Sequence, residues 1–311
     1  MAFSSLRSLM GASSGGGGGG VDRGVFGGGF TGSDSNVIDY ITISSPGSAT
    51  DFGDLVARYY LSATSNGTKG RGVFGGGNAS GASNIIDYIT ISSTGDATDF
   101  GSLTVARSSL GATSNGTQDR GVFGGGDSGS NDDIIDYITI SSTGSATDFG
   151  NLSVGRGYVG STSNGTQDRG VFGGGNDGSN SNVIDYITIS STGSATDFGN
   201  LVARNSLGAT SNGTTDRGVF GGGYVSGASD IIDYITISST GDATDFGSLS
   251  VARYGLGATS NGTTDRGVFG GGDDGSSDDV IDYITISSTG SATDFGNLSV
   301  GRYYISATSD N

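Results

Sequence analysis

The apolar residues of the chain lie in short blocks bounded by glycine and small polar residues. The strongest block, Ile85–Ile91, carries apolar side chains on both alternating faces, which predicts a strand buried on both sides. Weaker blocks at Tyr59–Ser65, Arg71–Phe74 and Asp99–Val105 predict three further strands. Asn66-Gly67 between the first two predicts a tight hairpin turn of type I′. The pattern therefore predicts a unit of four antiparallel strands.

This unit is repeated along the chain. The phrase Arg-Gly-Val-Phe-Gly-Gly-Gly occurs six times at intervals of 48 or 49 residues, beginning at Arg23, Arg71, Arg120, Arg169, Arg217 and Arg266. A period of this length with four short strands per unit is typical of a β-propeller, in which each unit forms one blade. We therefore expect an all-β, six-bladed β-propeller.

The two ends of the repeat region predict how the ring closes. The first unit begins at its second strand, near Arg23, and the chain ends with an unpaired first strand, Tyr303–Ser309. If the C-terminal strand pairs with the N-terminal blade, it completes that blade and leaves no joint unpaired. The predicted domains are residues 1–22, a docking arm with a glycine-rich linker, and residues 23–311, the propeller.

Composition narrows the functional classes. The formal net charge is −17, which opposes binding to nucleic acid, and no apolar run is long enough for membrane insertion. The chain has neither His nor Cys, and its candidate carboxylates recur in every unit, whereas catalysis needs groups in different roles. We expect no enzymatic activity and no cofactor. We also expect no signal peptide, because the start of the chain lacks a basic segment followed by a continuous apolar core.

The repeat resembles the kelch repeat in several positions. Val25-Phe26-Gly27-Gly28 matches the glycine pair after an apolar strand, and Asp39-Tyr40, Phe52 and Arg58 stand where kelch repeats place Asp-Tyr, an aromatic residue and Arg. Phe52 replaces the usual Trp, so the match is to the class. The phrases Gly-Val-Phe-Gly-Gly-Gly, Ile-Asp-Tyr-Ile-Thr-Ile-Ser and Ala-Thr-Asp-Phe-Gly also resemble a repeat of structural proteins of marine bacteriophages. That resemblance covers residues 23–311 and implies a virion component.

Arginine and aspartate recur once per unit in matching rows. We expect Arg–Asp pairs to join neighbouring blades, since guanidinium and carboxylate groups suit such joints. An anionic ligand held on the axis is the alternative. The predicted pairs use Arg58, Arg107, Arg156, Arg204, Arg253 and Arg302 with Asp39, Asp87, Asp136, Asp185, Asp233 and Asp282. A second Asp row, Asp51, Asp99, Asp148, Asp197, Asp245 and Asp294, matches the Arg of each Arg-Gly-Val-Phe phrase.

The six copies differ from one another mainly in two places, the loop between the second and third strands and the residue pair after each linker Arg. Because strands alternate in direction, both places should lie on one face of the propeller, whereas the near-identical turns lie on the other. We hypothesise that this variable face contacts a partner, and neutral variation of solvent-exposed loops is the alternative. The candidate contact residues are Tyr59, Tyr60, Tyr158, Tyr224, Tyr254, Tyr303 and Tyr304.

Two loops on this face are rich in aspartate. Residues 127–133 and 273–279 place carboxylates around glycine, as calcium-binding loops do, although neither has the terminal Glu of the twelve-residue calcium loop. A solvated acidic loop is the expected state, and calcium is the alternative. No other metal site is predicted.

The first residues of the chain lie outside the repeat. Phe3, Leu6, Leu9 and Met10 have roughly helical spacing, and Gly15–Gly20 predicts a flexible linker. We expect residues 1–14 to dock into other virion proteins or into another copy of the chain. Packing of the arm against its own propeller is the alternative.

Together these features predict a non-enzymatic structural protein of a phage virion, in a tail or head appendage. Its arm would anchor it, and its variable face would contact a host receptor or neighbouring subunits. A secreted or surface glycan-binding propeller is the second candidate function. An intracellular kelch-type adaptor is a third, although the chain carries no additional interaction domain.

Overall fold

A computed structural model describes residues 22–65, 70–165, 167–262 and 264–309. The predicted docking arm, with Phe3, Leu6, Leu9 and Met10, lies outside the described residues, as do Asn66 and Gly67. All regular secondary structure in the described residues is β-strand. No helix in this part of the chain is long and apolar enough to cross a membrane.

The structure contains 24 strands in the described residues. The first twelve are β1 (Arg23–Gly27), β2 (Val37–Thr42), β3 (Thr50–Asp54), β4 (Ser62–Thr64), β5 (Arg71–Gly75), β6 (Ile85–Thr90), β7 (Thr98–Ser102), β8 (Gly111–Thr113), β9 (Arg120–Gly124), β10 (Ile134–Thr139), β11 (Thr147–Asn151) and β12 (Gly160–Thr162). The second twelve are β13 (Arg169–Gly173), β14 (Val183–Thr188), β15 (Thr196–Asn200), β16 (Gly208–Thr210), β17 (Arg217–Gly221), β18 (Ile231–Thr236), β19 (Thr244–Ser248), β20 (Gly257–Ser260), β21 (Arg266–Gly270), β22 (Val280–Thr285), β23 (Thr293–Asn297) and β24 (Ser306–Ser309).

These strands form six four-stranded antiparallel sheets, which are the blades of the propeller. Five blades use four consecutive strands each, beginning with β4, β8, β12, β16 and β20. The remaining blade has the order β24-β1-β2-β3, in which Gly24 lies opposite Ser309 and Gly27 opposite Ser306. We number it blade 1 and the others blades 2 to 6 in chain order. The predicted all-β, six-bladed fold and its closure by the C-terminal strand are therefore confirmed.

The apolar core is divided among the spaces between neighbouring blades. Phe100 and Ile86 of blade 2 pack in one buried cluster with Phe123 and Ile138 of blade 3. The third strand is therefore apolar on both faces because it contributes one face to the preceding space and the other to the following one. The space between blades 6 and 1 is filled in the same way, so the joint at the chain ends is packed like the others.

Glycine permits the closest approach between blades. A Cβ atom added at Gly75, the last residue of β5, would lie 2.6 Å from the Phe123 ring of the next blade. A larger residue at this position would push that ring out of the core.

The outer edge of each blade is covered by the next blade. The Gly95 N–H donates to the Phe52 carbonyl at 2.8 Å, and the Ala97 N–H donates to the Asp54 carbonyl at 2.7 Å. The segment before β7 thus occupies part of the edge of β3. This arrangement satisfies edge groups that would otherwise be free to pair with other chains.

Three local predictions are wrong. The fourth strand of blade 2 is Thr98–Ser102 instead of Asp99–Val105. The first strand of blade 2 is only Ser62–Thr64, instead of Tyr59–Ser65, because the preceding residues belong to a separate ring of contacts described below. The Asn-Gly turn is also not of type I′ in the described copies, since Asn115 lacks the positive φ that this turn requires. Instead, its side-chain oxygen accepts from the Gln118 N–H at 3.0 Å and holds a longer loop.

Candidate functional site

The two variable regions of the repeat lie together on one face. The first residue of each loop between the second and third strands is bridged to the first residue of a linker pair, for example Asn78 to Tyr59. The variable face is defined by six loops and six linker pairs. The loops are 30–36, 78–84, 127–133, 176–182, 224–230 and 273–279, and the pairs are 59–60, 108–109, 157–158, 205–206, 254–255 and 303–304.

The second residues of the linker pairs form a closed ring around the axis. Each N–H donates to the carbonyl of the equivalent residue in the preceding blade, at distances from 2.6 to 3.1 Å. All six residues have positive φ, between 54° and 68°. The members of this inner ring are Tyr60, Ser109, Tyr158, Ser206, Gly255 and Tyr304. This cycle of backbone hydrogen bonds fixes the positions of the six Cα atoms, so the side chains project from a defined platform.

The aromatic residues of the variable face converge over this ring. The Tyr60 and Tyr304 ring centroids are 3.9 Å apart, and Tyr60 lies 5.2 Å from Tyr158 across the ring. Tyr254 lies 5.9 Å from Tyr304 and 5.4 Å from Tyr224. The aromatic cluster consists of Phe30, Tyr59, Tyr60, Tyr158, Tyr224, Tyr254, Tyr303 and Tyr304.

All seven predicted tyrosines thus belong to one cluster, although they come from five different repeats. Most of them are half-buried, and Tyr224 is 39% exposed. The cluster is packed firmly enough to be ordered, yet it still presents aromatic surface to solvent. This combination is typical of binding surfaces.

Burial favours the neutral form of four tyrosine hydroxyls in the cluster. It raises the pKa of Tyr60, and the side-chain hydrogen bonds of Tyr60 with Tyr304 and Tyr158 raise this pKa further. Burial likewise raises the pKa values of Tyr254, Tyr303 and Tyr304. These four hydroxyl groups therefore serve as neutral hydrogen-bonding groups at the edge of an aromatic surface.

A cavity of about 110 Å³ lies on the axis next to the cluster. Tyr60, Tyr158 and Tyr304 line it at the variable face, and Leu61 and Ala63 line it further inside with their counterparts from the other blades. Polar atoms form most of its exposed lining, and serines such as Ser62 and Ser109 contribute to it. The cavity is therefore large enough for a few water molecules.

The rim of the variable face is acidic. Its six loops contain ten Asp and neither Lys nor Arg: Asp34, Asp127, Asp132, Asp133, Asp177, Asp230, Asp273, Asp274, Asp278 and Asp279. The Arg of each linker is fully buried and paired, so it does not offset these charges at the surface. The result is an aromatic centre surrounded by carboxylates.

The linker arginines join neighbouring blades. The backbone carbonyl of Arg58 accepts a hydrogen bond from the Gly29 N–H of blade 1 at 2.9 Å. The Arg58 guanidinium pairs with the Asp87 carboxylate of blade 2 at 2.5 Å. The equivalent contacts recur around the ring. The other pairs are Arg107–Asp136, Arg156–Asp185, Arg204–Asp233, Arg253–Asp282 and Arg302–Asp39.

The second Arg row does not pair with the second Asp row. Arg23 lies 4.5 Å from the centre of the Tyr40 ring and donates to the Ile91 carbonyl of the next blade at 3.0 Å. Asp51, its expected partner, is exposed in β3. A cation–π contact and a carbonyl bond satisfy this guanidinium without a carboxylate.

The acidic loops satisfy part of their hydrogen bonding internally. The Asp127 and Asp273 carboxylates each accept from a glycine N–H two residues later, at 2.7 Å. Within the ranges that the structure describes, no three acidic side chains are grouped so that they could hold a metal ion. The solvated acidic loop stays the prediction for these residues, and calcium stays the alternative.

The chain enters the propeller on the face opposite the variable face. Asp22, the first described residue, accepts from the Ser44 N–H at 3.0 Å in the turn between β2 and β3. Asp119 and Asp168 make the equivalent contact in their own blades. The predicted docking arm, residues 1–14, is therefore connected to the face that carries the near-identical turns.

The sequence reasoning missed some members of the site. Phe30 belongs to the aromatic cluster through contacts of 5.1 Å with Tyr59 and 5.7 Å with Tyr303. Its position at the start of a variable loop was a usable signal. The face also carries exposed valines two residues before five of the six linker arginines, such as Val56 at 47% and Val300 at 45%. Because a valine recurs at this position in every repeat, the pattern alone did not distinguish an exposed valine from a buried one.

Comparison with known proteins assigns no family to the chain. No protein-family model matches the chain, and no curated protein matches it significantly.

Proposed function

We propose that the chain is a non-catalytic binding module that contacts a partner through the aromatic cluster. The convergence of seven tyrosines from five repeats supports this proposal most strongly. The linker pairs of all six repeats meet around the axis, so the residues that vary there lie side by side. Tyr occupies six of these twelve positions, and a seventh, Tyr224, comes from a loop. Tyr and Phe also provide large contact areas at little entropic cost.

The repeats favour a scaffold over an active site. The buried Arg–Asp pairs occur in six equivalent copies and are engaged in joining blades. General acid–base chemistry needs two titratable groups in different environments, and a six-fold arrangement supplies the same environment six times.

The two faces suit a component of a larger particle. The chain enters on one face, and the variable residues occupy the other, so an anchored propeller would present the aromatic cluster outward. Together with the resemblance of the repeats to structural proteins of marine phages, this polarity supports a role in a virion tail or head appendage. The partner would be a neighbouring virion protein or a host receptor.

Glycan binding is the second candidate function. Tyr59 is bridged to Asn78, and Tyr254 to Asp273, which places aromatic rings beside amide and carboxylate groups. Sugars are recognised by stacking on such rings together with hydrogen bonds to such groups. The proposal of a protein partner and this alternative share the same surface.

The test uses arrays of immobilised peptides and of immobilised glycans, probed with the full chain. The face variant is Tyr303→Ser with Tyr304→Ser, which copies the Ser108-Ser109 pair of another repeat and so fits the fold, since Ser109 has φ of 60°. The control variant is Ser92→Ala with Thr94→Ala, in an exposed turn away from the cluster.

We expect ligands of one array class to be lost in the face variant and retained in the control. Ligands on the peptide array support the protein-binding proposal, and ligands on the glycan array alone support the second candidate. No ligand in either class, or equal binding by both variants, contradicts the proposal.

A further inference from the structure

The residues of the variable face indicate which kind of chain segment could bind there. Its centre is aromatic, and the exposed valines extend the apolar area. Its loops carry ten carboxylates and no basic residue. A complementary segment has several apolar side chains, carries positive charge and contains no acid.

The chain itself contains such a segment. Residues 1–14 contain Phe3, Leu6, Leu9 and Met10, their one charged side chain is Arg7, and no Asp occurs before Asp22. Every repeat, by contrast, is rich in Asp. The arm and the variable face are therefore complementary in both apolar character and charge.

The connection favours docking between two copies. Asp22, the first described residue, lies on the face opposite the aromatic cluster. An arm that docks on its own propeller must pass around the rim to reach the cluster, whereas an arm that docks on a second copy extends away from its own propeller. The entry of the chain on this face therefore favours a contact between two copies.

We propose that the arm of one copy, residues 1–14, docks on the variable face of a second copy, so that propellers associate head to tail. This inference rests on the proposed binding role of the aromatic cluster and names its partner. In this contact the apolar residues of the arm would complement the tyrosines, and the charge of Arg7 would complement the carboxylates of the rim. A head-to-tail contact leaves a free arm at one end and a free face at the other, so it continues beyond two copies.

The test measures association of the full chain by sedimentation velocity over a range of concentrations. The arm variant replaces Phe3, Leu6, Leu9 and Met10 by Ser, and the face variant is Tyr303→Ser with Tyr304→Ser. We expect the wild type to form a concentration-dependent series of oligomers. Each variant alone should weaken association at least roughly tenfold, because apolar anchors carry most of the energy of such contacts.

Mixing the two variants provides the sharpest result. The face variant retains its arm, and the arm variant retains its face, so their mixture should form dimers and nothing larger. Arg7→Glu should also weaken wild-type association, and raising the salt concentration should do so as well. A wild type that stays monomeric, a face variant that associates normally, or a mixture without dimers would overturn the inference. If the arrays still show ligands lost in the face variant, the binding role stands while the homotypic partner fails.

Discussion

The buried Arg–Asp pairs allow a quantitative test of ring closure. Asp136 accepts from the Arg107 guanidinium at 2.8 Å, from the Thr104 hydroxyl at 2.5 Å and from the Thr104 N–H at 3.3 Å. Asp39 makes the same set with Arg302 and Ser299, at 2.7, 2.6 and 3.3 Å, although these partners lie at the other end of the chain. The closing joint and an internal joint therefore have the same geometry.

Asp39→Asn and Asp136→Asn should destabilise the protein equally. Each leaves a fully buried guanidinium without its counter-ion, which costs about 3–5 kcal/mol. The Asn oxygen can still accept one hydrogen bond, so the lower part of this range is expected. For a protein of 311 residues, with an unfolding entropy of about 2.1 cal/mol/K per residue, that corresponds to a decrease in Tm of roughly 5–8 °C.

The assay is thermal unfolding followed by circular dichroism, with guanidinium unfolding as a second measure. Asp148→Asn is the matched control, because Asp148 lies opposite Asp136 in the sheet but is exposed. It should change the free energy of unfolding by no more than about 0.5 kcal/mol. If Asp39→Asn behaved like the control while Asp136→Asn did not, the ring would not be closed at its ends. If neither differed from the control, the pairs would not hold the blades together.

Three further perturbations test other parts of the account. Gly75→Ala should lower stability by about 1–3 kcal/mol through its clash with Phe123, whereas Gly47→Ala, which meets no atom within 4 Å, should be nearly neutral in the same unfolding assay. Ser109→Pro should destabilise the inner ring, since it removes an N–H that donates to the Tyr60 carbonyl at 2.8 Å and cannot adopt φ of 60°. In an alkaline titration followed by ultraviolet absorbance, Tyr60 should ionise later than an unperturbed tyrosine, because burial raises its pKa above the usual 10.0. The stability that the neutral Tyr60 hydroxyl contributes is complete below about pH 10 and is lost as the pH rises through its folded pKa. Ionisation of all tyrosines together near pH 10 would contradict the packing of the cluster.

The repeat pattern was sufficient to predict the architecture. The spacing of the Arg-Gly-Val-Phe phrase defines six units, and apolar residues on both faces of Ile85–Ile91 require a neighbour on each side. The offset between the first unit and the orphan strand at Tyr303–Ser309 predicted closure. These features can be recognised in the sequence alone, because they depend on local residue patterns and on the spacing between repeats.

The site was predicted only as a set of residues on one face. Its convergence depends on the radius of the inner ring, which the backbone bonds between linker pairs determine. Five of those bonds join residues 48 or 49 positions apart, and the sixth joins Tyr60 to Tyr304 near the other end of the chain. They also require positive φ at Tyr60 and Tyr304, a conformation that tyrosine seldom adopts. The partner of Arg23 was missed for a related reason. Its contact with Tyr40 depends on register within the blade, whereas the expected partner, Asp51, was chosen by recurrence alone.

The most direct test of the central claim is ¹⁹F NMR of the full chain labelled with 3-fluorotyrosine. The chain has 13 Tyr, of which seven belong to the aromatic cluster and six, one per blade, lie in third strands such as β2 and β6. The six serve as internal controls. On titration with the strongest ligand from the arrays, the account predicts that resonances of the cluster tyrosines shift while those of the strand tyrosines stay in place. Binding that leaves the cluster resonances unchanged, or that shifts only the strand resonances, would contradict the assignment of the variable face as the recognition surface.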